Sequence, residues 1–308
     1  MAGVYTSPTR RRVIGVLFLA LGVLLWVLFA RGLAPDAVTT YKLTPGGTAQ
    51  KLPDWVFPTL PMLNFLAIFS AGLGVFQLVR GFGRRTNLVL SLVVAAFIFG
   101  FLSWATSGGT LNLAGLFRSA LVKAVPLTIG ALSGVLCERS GVVNIAIEGM
   151  MLTGAFVGAF VGSVTNLWIG LLAAVLSGGL LAAILAVLSI KYKTDQIIAG
   201  TVINIFATGL TSFLSAKFLQ KYQYLNDPGR FPTIKIPVLA DIPFIGPILF
   251  QHNMFVYALY IFLVVLTVAL FYTRWGLRTR SVGEHPKAAD TLGINVFRTR
   301  YLSVILGG

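Results

Sequence analysis

The sequence predicts an all-α fold, a polytopic bundle of membrane-spanning helices, and three observations carry that expectation. Apolar residues make up 56% of the 308 and charged residues 11%, with a mean hydropathy of +0.87. A soluble domain has about 25% charged residues, so too few polar groups remain here to clothe a solvated surface. Apolar stretches of about 20 residues recur along the chain, the length needed to cross ~30 Å of hydrocarbon. Basic residues gather in alternate loops, as in proteins whose positive loops stay inside. The same apolar content excludes a disordered chain. The lone cysteine, Cys137, excludes an internal disulfide framework and a multi-thiolate metal site.

Spans are expected near residues 13–30, 60–79, 87–106, 119–137, 142–163, 167–190, 196–219 and 253–273. The first follows Arg10, Arg11 and Arg12. Its apolar run exceeds the roughly 7–15 residues of a signal-peptide core, which favours a retained anchor helix. Residues 31–59, mixed and containing Pro and Gly, read as an ordinary external loop. With the N-terminus inside, fifteen of the 24 basic residues fall in inner segments and seven, Lys51 among them, in outer ones; Lys123 and Lys217 lie within spans. The formal charge of +15 therefore reads as an orientation signal and not as a nucleic-acid surface.

Within 142–163, Gly154, Gly158 and Gly162 repeat every four residues, and Ala174, Gly178, Ala182 and Ala186 do so in the next span. Residues four apart share a helix face, and small side chains there let helices approach closely in lipid, a structural role. Just upstream, Gly141, Asn144 and Gly149 punctuate the chain, so a broken or re-entrant helix is expected near 141–149. Irregular backbone at membrane depth must be buried or line a cavity. Glu148 lies within that segment; it either pairs with Arg139 or meets backbone N–H groups at a half-helix start, where negative charge is favoured. Both readings are structural.

In 196–219 the residues Thr201, Asn204, Thr208, Thr211, Ser212 and Ser215 follow steps of three and four, a polar stripe on an apolar helix. Two readings stand: a path for a neutral polar solute, to which Asn144 would contribute, or hydrogen-bonding glue between helices. Residues 220–252 hold five of the 13 prolines, which denies a continuous helix, yet they are apolar. They form either a folded external cap or a connection that plugs a gap between helices. In 274–300, Pro286 opens a short helix through Leu292 and Gly293 closes it, a rod of about 10 Å flanked by basic residues. That rod is either a docking element or an ordinary capped surface helix. Tyr301–Gly308 is apolar but too short to cross, so further spans are expected after it.

No G-x-x-x-x-G-K-[ST] loop, G-x-S-x-G elbow or H-E-x-x-H pair occurs. His252 and His285 fall on opposite sides of the expected topology, which leaves no metal site. The chain thus reads as a transport protein and not an enzyme.

Glu138-Arg139-Ser140-Gly141-Val142-Val143-Asn144-Ile145-Ala146-Ile147-Glu148-Gly149-Met150-Met151 resembles the signature of the nucleoside and simple-sugar branch of the ribose, nucleoside and branched-chain amino acid permeases of ABC importers. Ser281-Val282-Gly283-Glu284-His285-Pro286-Lys287-Ala288-Ala289, with Gly293, resembles that branch's ATPase-coupling helix, and Lys235-Ile236-Pro237-Val238-Leu239 its external loop. Lys287 stands where the general coupling pattern has Glu. The resemblance covers about 113–308 as a permease core, leaving 1–112 as a three-span membrane extension. It implies a half-channel moving a nucleoside or simple sugar inward by alternating access. The implied partners are a homologous permease, two cytoplasmic ATPases and an external substrate-binding lipoprotein, in a bacterial-type cytoplasmic membrane. The ATPases would use the ATP, and no cofactor is expected in this chain. The alternative is an ion-coupled secondary carrier or channel for a small polar solute.

Overall fold

The structure, a computed structural model, describes residues 8–45 and 52–308. Lys51 and the tip of the first loop at 46–50 lie outside the described residues. Eight helices are long and apolar enough to cross a membrane: Pro8–Ala30, Thr59–Val79, Gly83–Ala105, Leu113–Glu138, Ile147–Val164, Leu167–Lys191, Gln196–Leu219 and Met254–Tyr272. The protein is a polytopic helical membrane protein. Each expected span has its helix. The fifth starts five residues later than expected, because residues 139–146 are not helical, and the fourth starts six residues earlier, at Leu113.

The backbone divides into two compact units, Met1–Arg118 with Asp241–Ile248, and Ser119–Ala240 with Leu249–Gly308. The first contains α1 (Pro8–Leu24), continued by a π-helical turn Leu25–Ala30, then α2 (Thr59–Val79) and α3 (Thr86–Ala105). Strands β1 (Val38–Lys42), β2 (Trp55–Pro58) and β3 (Thr110–Asn112) form a small sheet in the order β2-β1-β3, antiparallel on one side of β1 and parallel on the other. The described part of the segment expected as a loop at 31–59 is therefore built on two strands. Its reason is a period-two pattern: Thr39 and Tyr41 point inward and are fully buried. Thr39 Oγ1 lies 2.7 Å from Thr59 Oγ1 and donates to the Ser103 carbonyl at 2.9 Å. The Tyr41 hydroxyl lies 2.8 Å from Ser103 Oγ, and its ring meets Trp55, Phe57 and Phe99 edge-on. Burial pushes the Tyr41 hydroxyl pKa up.

The second unit takes up α4 (Leu113–Glu138) from Ser119 onward, and holds α5 (Ile147–Val164), α6 (Leu167–Ala186) and α7 (Gln196–Leu214). Alpha-helical geometry gives way to π-helical turns at Val187–Lys191 and Ser215–Leu219. Short polar side chains set the helix starts: Asn166 Oδ1 accepts from Trp168 N and Ile169 N, and Asp195 Oδ1 from Ile197 N and Ile198 N. Residues 220–252 carry a 3₁₀ turn, Gln223–Asn226, and a two-residue ladder of β4 (Ile234–Lys235) with β5 (Gln251–His252). The short helix α8 (Ile245–Leu249), whose residues up to Ile248 fall in the first unit, precedes β5 in the chain. This segment is ordered and lacks a long helix, as its prolines dictate. Then come α9 (Met254–Tyr272), α10 (Arg274–Glu284), α11 (Pro286–Thr291) and α12 (Val296–Gly307). The core of this unit gathers Cys137, Ala146, Met150, Leu181, Leu185, Ile203 and Val304.

The small-residue faces of α5 and α6 meet. A side chain added at Gly170 would lie 2.7 Å from the Gly158 carbonyl oxygen and 2.7 Å from Gly162 Cα, so the two backbones touch there. At Gly158 it would come 3.2 Å from Ala174 Cβ, and at Gly162 3.0 Å from Pro228 Cβ. Gly154 has its nearest neighbour, the Ala174 carbonyl oxygen, at 3.5 Å.

Candidate substrate path and coupling elements

Between α4 and α5 the chain leaves the helix at Arg139 and re-enters it at Ile147. Peptide groups freed by such a break need partners, because hydrocarbon offers none. They find them in three amide side chains. Asn204 of α7 accepts from Gly149 N and donates to the Ile145 carbonyl, both at 2.8 Å, so one side chain ties the end of the break to the first turn of α5. Gln196 Oε1 accepts from Val143 N at 2.7 Å. Asn144, itself buried, accepts from Ala146 N at 3.0 Å and turns its amide nitrogen toward the sulfurs of Cys137 and Met150. α7 comes close because Gly149 and Gly200 carry no side chain; a Cβ on Gly149 would lie 2.9 Å from Asn204 Oδ1, and one on Gly200 3.1 Å from Ile145 Cβ.

Glu148 sits in the first turn of α5, exposed, where the helix dipole favours its charge. The Arg139 guanidinium instead lies over the Phe271 ring.

The polar stripe of α7 divides along its length. Thr201 and Thr208 face outward from this chain, and Thr201 donates to the Ile197 carbonyl of its own helix. Asn204 is taken up by the break. Thr211 and Ser212 line a cavity of about 410 Å³, together with Ser215, Gln220, Asn226, Phe156 and the aliphatic residues Leu152, Ala155, Ala159 and Leu219. No charged side chain lines it. Neutral donors and acceptors around one aromatic ring suit an uncharged solute with hydroxyl or amide groups and a flat face. Phe156 stacks on Phe160 with the ring planes 4° apart. Phe156, Gln220 and Asn226 belong to none of the motifs legible in the sequence. Only the four-residue Phe spacing was there to be read, and Asn226 arrives through the 3₁₀ turn after α7. A second, larger cavity of about 550 Å³ is lined mostly by apolar residues of α4, α5 and α6, with Ser133 and Asn253 its polar side chains.

The short helix expected at 286–292 is present, with both ends fixed by side-chain and backbone geometry. His285 Nδ1 accepts from Ala288 N at 3.4 Å, Pro286 occupies the first helical position, and Ala289 is buried. At the other end Ile294 N donates to the Ala289 carbonyl and Gly293 N to the Asp290 carbonyl, with Gly293 at φ +80°. Those two bonds form a Schellman stop, which calls for a residue without Cβ. Glu284, His285, Lys287 and Ala288 are exposed on this rod. α10 presses on the break: Gly283 abuts the Arg139 carbonyl, and Arg300 Nε of α12 donates to the Ser140 carbonyl at 3.2 Å. The rod is thus tied through its flanking helices to the segment that Asn204 holds.

Among the described residues no three His, Cys, Asp or Glu side chains are placed to hold a metal ion.

Residues 116–308, covering this break and rod, match the family described as Branched-chain amino acid transport system / permease component. The chain belongs to this permease family. The family is one of transport subunits and not a catalytic one. Relatives include the guanosine ABC transporter permease protein NupQ of Bacillus subtilis, 43% identical over 199 residues that cover 62% of each chain. The nucleoside ABC transporter permease protein NupC of Lactococcus lactis is 39% identical over 197 residues, 61% of this chain and 62% of its own. The putative glucose ABC transporter permease protein TsgC13 of Haloferax volcanii is 36% identical over 200 residues, 63% and 59% of the two chains. The matched stretch thus covers about three fifths of the length of these curated relatives. No solved structure matches it.

Proposed function

We propose that this chain is a permease subunit of an ATP-driven importer that moves a nucleoside inward by alternating access. The observation that carries the reading is the likeness to two permeases named for guanosine and nucleoside transport. The uncharged cavity beside Phe156 agrees with it, because a nucleoside offers hydroxyls to Thr211, Ser212, Ser215 and Asn226 and a base face to the ring. A simple sugar would use the same hydroxyl partners and no ring. A zwitterionic amino acid would leave its charges unmatched there.

In this reading the motor is separate. Two cytoplasmic ATPase subunits bind and hydrolyse ATP and engage the rod from Glu284 to Gly293. A homologous permease completes the pathway, and an external binding lipoprotein delivers the solute. Residues 1–112 act as a membrane extension to the core of 113–308. The N-terminus lies in the cytoplasm, the protein in the cytoplasmic membrane. Closure of the ATPases shifts α11, and the Gly283 and Arg300 contacts pass that shift to the break.

The experiment is uptake of radiolabelled guanosine, ribose, glucose and leucine by cells carrying the complete transporter, with and without its ATPase genes. ATPase-dependent uptake of guanosine, competed by other nucleosides, is the expected result. Uptake of leucine alone would defeat the substrate assignment. Uptake that survives loss of the ATPases and fails in Glu148→Gln would instead establish an ion-coupled carrier.

A further inference from the structure

We propose that Arg139, Arg280 and the ring of Phe271 form a binding site for the phosphate of an anionic phospholipid, at the end of α9. The two arginines come from separate elements, the turn after α4 and the middle of α10. Their guanidinium carbons lie 5.8 and 5.1 Å from the centroid of the one ring. Cation–π contact engages the face of a guanidinium and leaves its N–H edge free. Among the described residues neither guanidinium is paired with a carboxylate or a hydrogen-bond acceptor, and the buried Nε of Arg280 has no partner. Glu138 and Glu284, the acidic residues nearest in sequence, are both exposed. Two like charges held over one ring, with an orphaned donor between protein and surface, call for an anion that accepts from both.

The surroundings identify which anion. Phe271 is 47% exposed and Tyr272 80%, and Val264, Val265 and Val268 before them are about half exposed, from 47 to 59%. The arginines therefore stand where the exposed apolar surface of a spanning helix ends. That is the headgroup layer, where arginine and aromatic side chains collect. A phospholipid meets both halves of this surface, with its acyl chains along α9 and its phosphate on the guanidinium edges. A free phosphate ion meets only the second half. The site is separate from the cavity beside Phe156 and does not depend on which solute is transported.

Native mass spectrometry of the purified chain tests this, by titration with phosphatidylglycerol, phosphatidylcholine and inorganic phosphate in a neutral detergent. Phosphatidylglycerol should be retained in preference to phosphatidylcholine, and phosphate should not be retained. Arg139→Gln and Arg280→Gln should each weaken phosphatidylglycerol binding roughly fivefold, the worth of one basic residue at an anionic surface. Arg278→Gln, an exposed arginine on the same helix, should leave it unchanged, and Phe271→Leu should weaken it with both charges intact. Should Arg280→Gln fail to fold, Arg139→Gln carries the test, since that side chain is exposed. Equal retention by the wild type and Arg139→Gln overturns the proposal, as does equal binding of the two lipids. Retention of phosphate without the lipid overturns the lipid assignment.

Discussion

In the first compact unit a cluster of buried hydroxyls closes on itself, and in the second three amide side chains close on broken backbone. Thr39, Thr59, Tyr41 and Ser103 form a sealed hydroxyl cluster beneath a small sheet, walled by Trp55, Phe57 and Phe99. Asn204, Gln196 and Asn144 spend their amides on the peptide groups of 143–149. The difference teaches which polar residues of an apolar chain are able to take part in motion. A hydroxyl cluster of four side chains fixes one packing, whereas a segment held by three amides, and pressed by Gly283 and Arg300, has contacts that can be exchanged. The expectation is that the hydroxyl cluster acts as an anchor and the amide-held segment as the part that moves.

The largest effect that would test this contrast belongs to the α5–α6 contact. In Gly170→Leu the new side chain meets backbone atoms of α5 at 2.7–2.8 Å, which have no rotamer to yield. Overpacking by single methylenes commonly costs about 1–3 kcal/mol and occasionally more, and a whole leucine side chain against unyielding backbone goes beyond that range, so that the seam cannot close. The monodisperse peak in fluorescence-detected size exclusion should disappear. An unchanged peak would mean that the two helices are free to part, and that the second unit owes nothing to this seam.

Next comes Asn204→Leu set beside Ser103→Ala. The first leaves Gly149 N–H and the Ile145 carbonyl bare, about 1–3 kcal/mol for each group. The second takes the Ser103 partner from one group, the Tyr41 hydroxyl, at about 1–3 kcal/mol, while Thr39 and Thr59 keep each other and the Ser103 carbonyl. Thermal unfolding in detergent should rank them in that order, and solute uptake by the complete transporter should fall only with Asn204→Leu. Equal melting points and equal uptake would erase the distinction between anchor and mechanism.

How far the sequence foretells these assignments follows from the range of the forces involved. Eight spans were legible because hydropathy is local and additive, and the 286–292 rod because its stop signals, Pro286 and Gly293, act within a turn. The break was legible from Gly141, Asn144 and Gly149. What holds it was not, because Asn204 is 55 residues from Gly149 and appears in the sequence as one of six polar positions in a stripe. The sheet at 38–58 has no local signature, since its strands pair at long range and its stability comes from aromatic packing that no local pattern announces. The cavity residues Gln220 and Asn226 are brought in by a π-helical turn and a 3₁₀ turn, whose geometry has no composition signal.

A smaller effect is expected at the rod itself. Gly293→Ala forces a side chain into φ +80°, which costs about 1–2 kcal/mol. The loss stays local, so the melting temperature should move little, while hydrogen exchange at the Gly293 and Ile294 amides should accelerate with loss of the Schellman bonds. ATPase-driven uptake should fall if the rod carries the stroke. Faster exchange with full uptake would show the rod to be an ordinary capped helix.

The smallest effect is expected of Gly154→Ala, and it is informative for that reason. Gly154, Gly158 and Gly162 form one ladder in sequence, but their surroundings differ. A methyl at Gly154 meets its nearest atom, the Ala174 carbonyl oxygen, at 3.5 Å, an ordinary van der Waals contact, while at Gly158 the distance to Ala174 Cβ is 3.2 Å. Alanine also lowers the conformational freedom of the unfolded chain, worth about 0.4–1 kcal/mol where the backbone geometry allows it. Gly154 lies inside α5, where alanine fits without strain. Gly154→Ala should therefore leave the melting temperature level or slightly raised, and Gly158→Ala should lower it. Because Gly154 also lines the 550 Å³ cavity, a fall in uptake from Gly154→Ala at unchanged stability would move functional weight from the polar pocket of α7 to that apolar cavity.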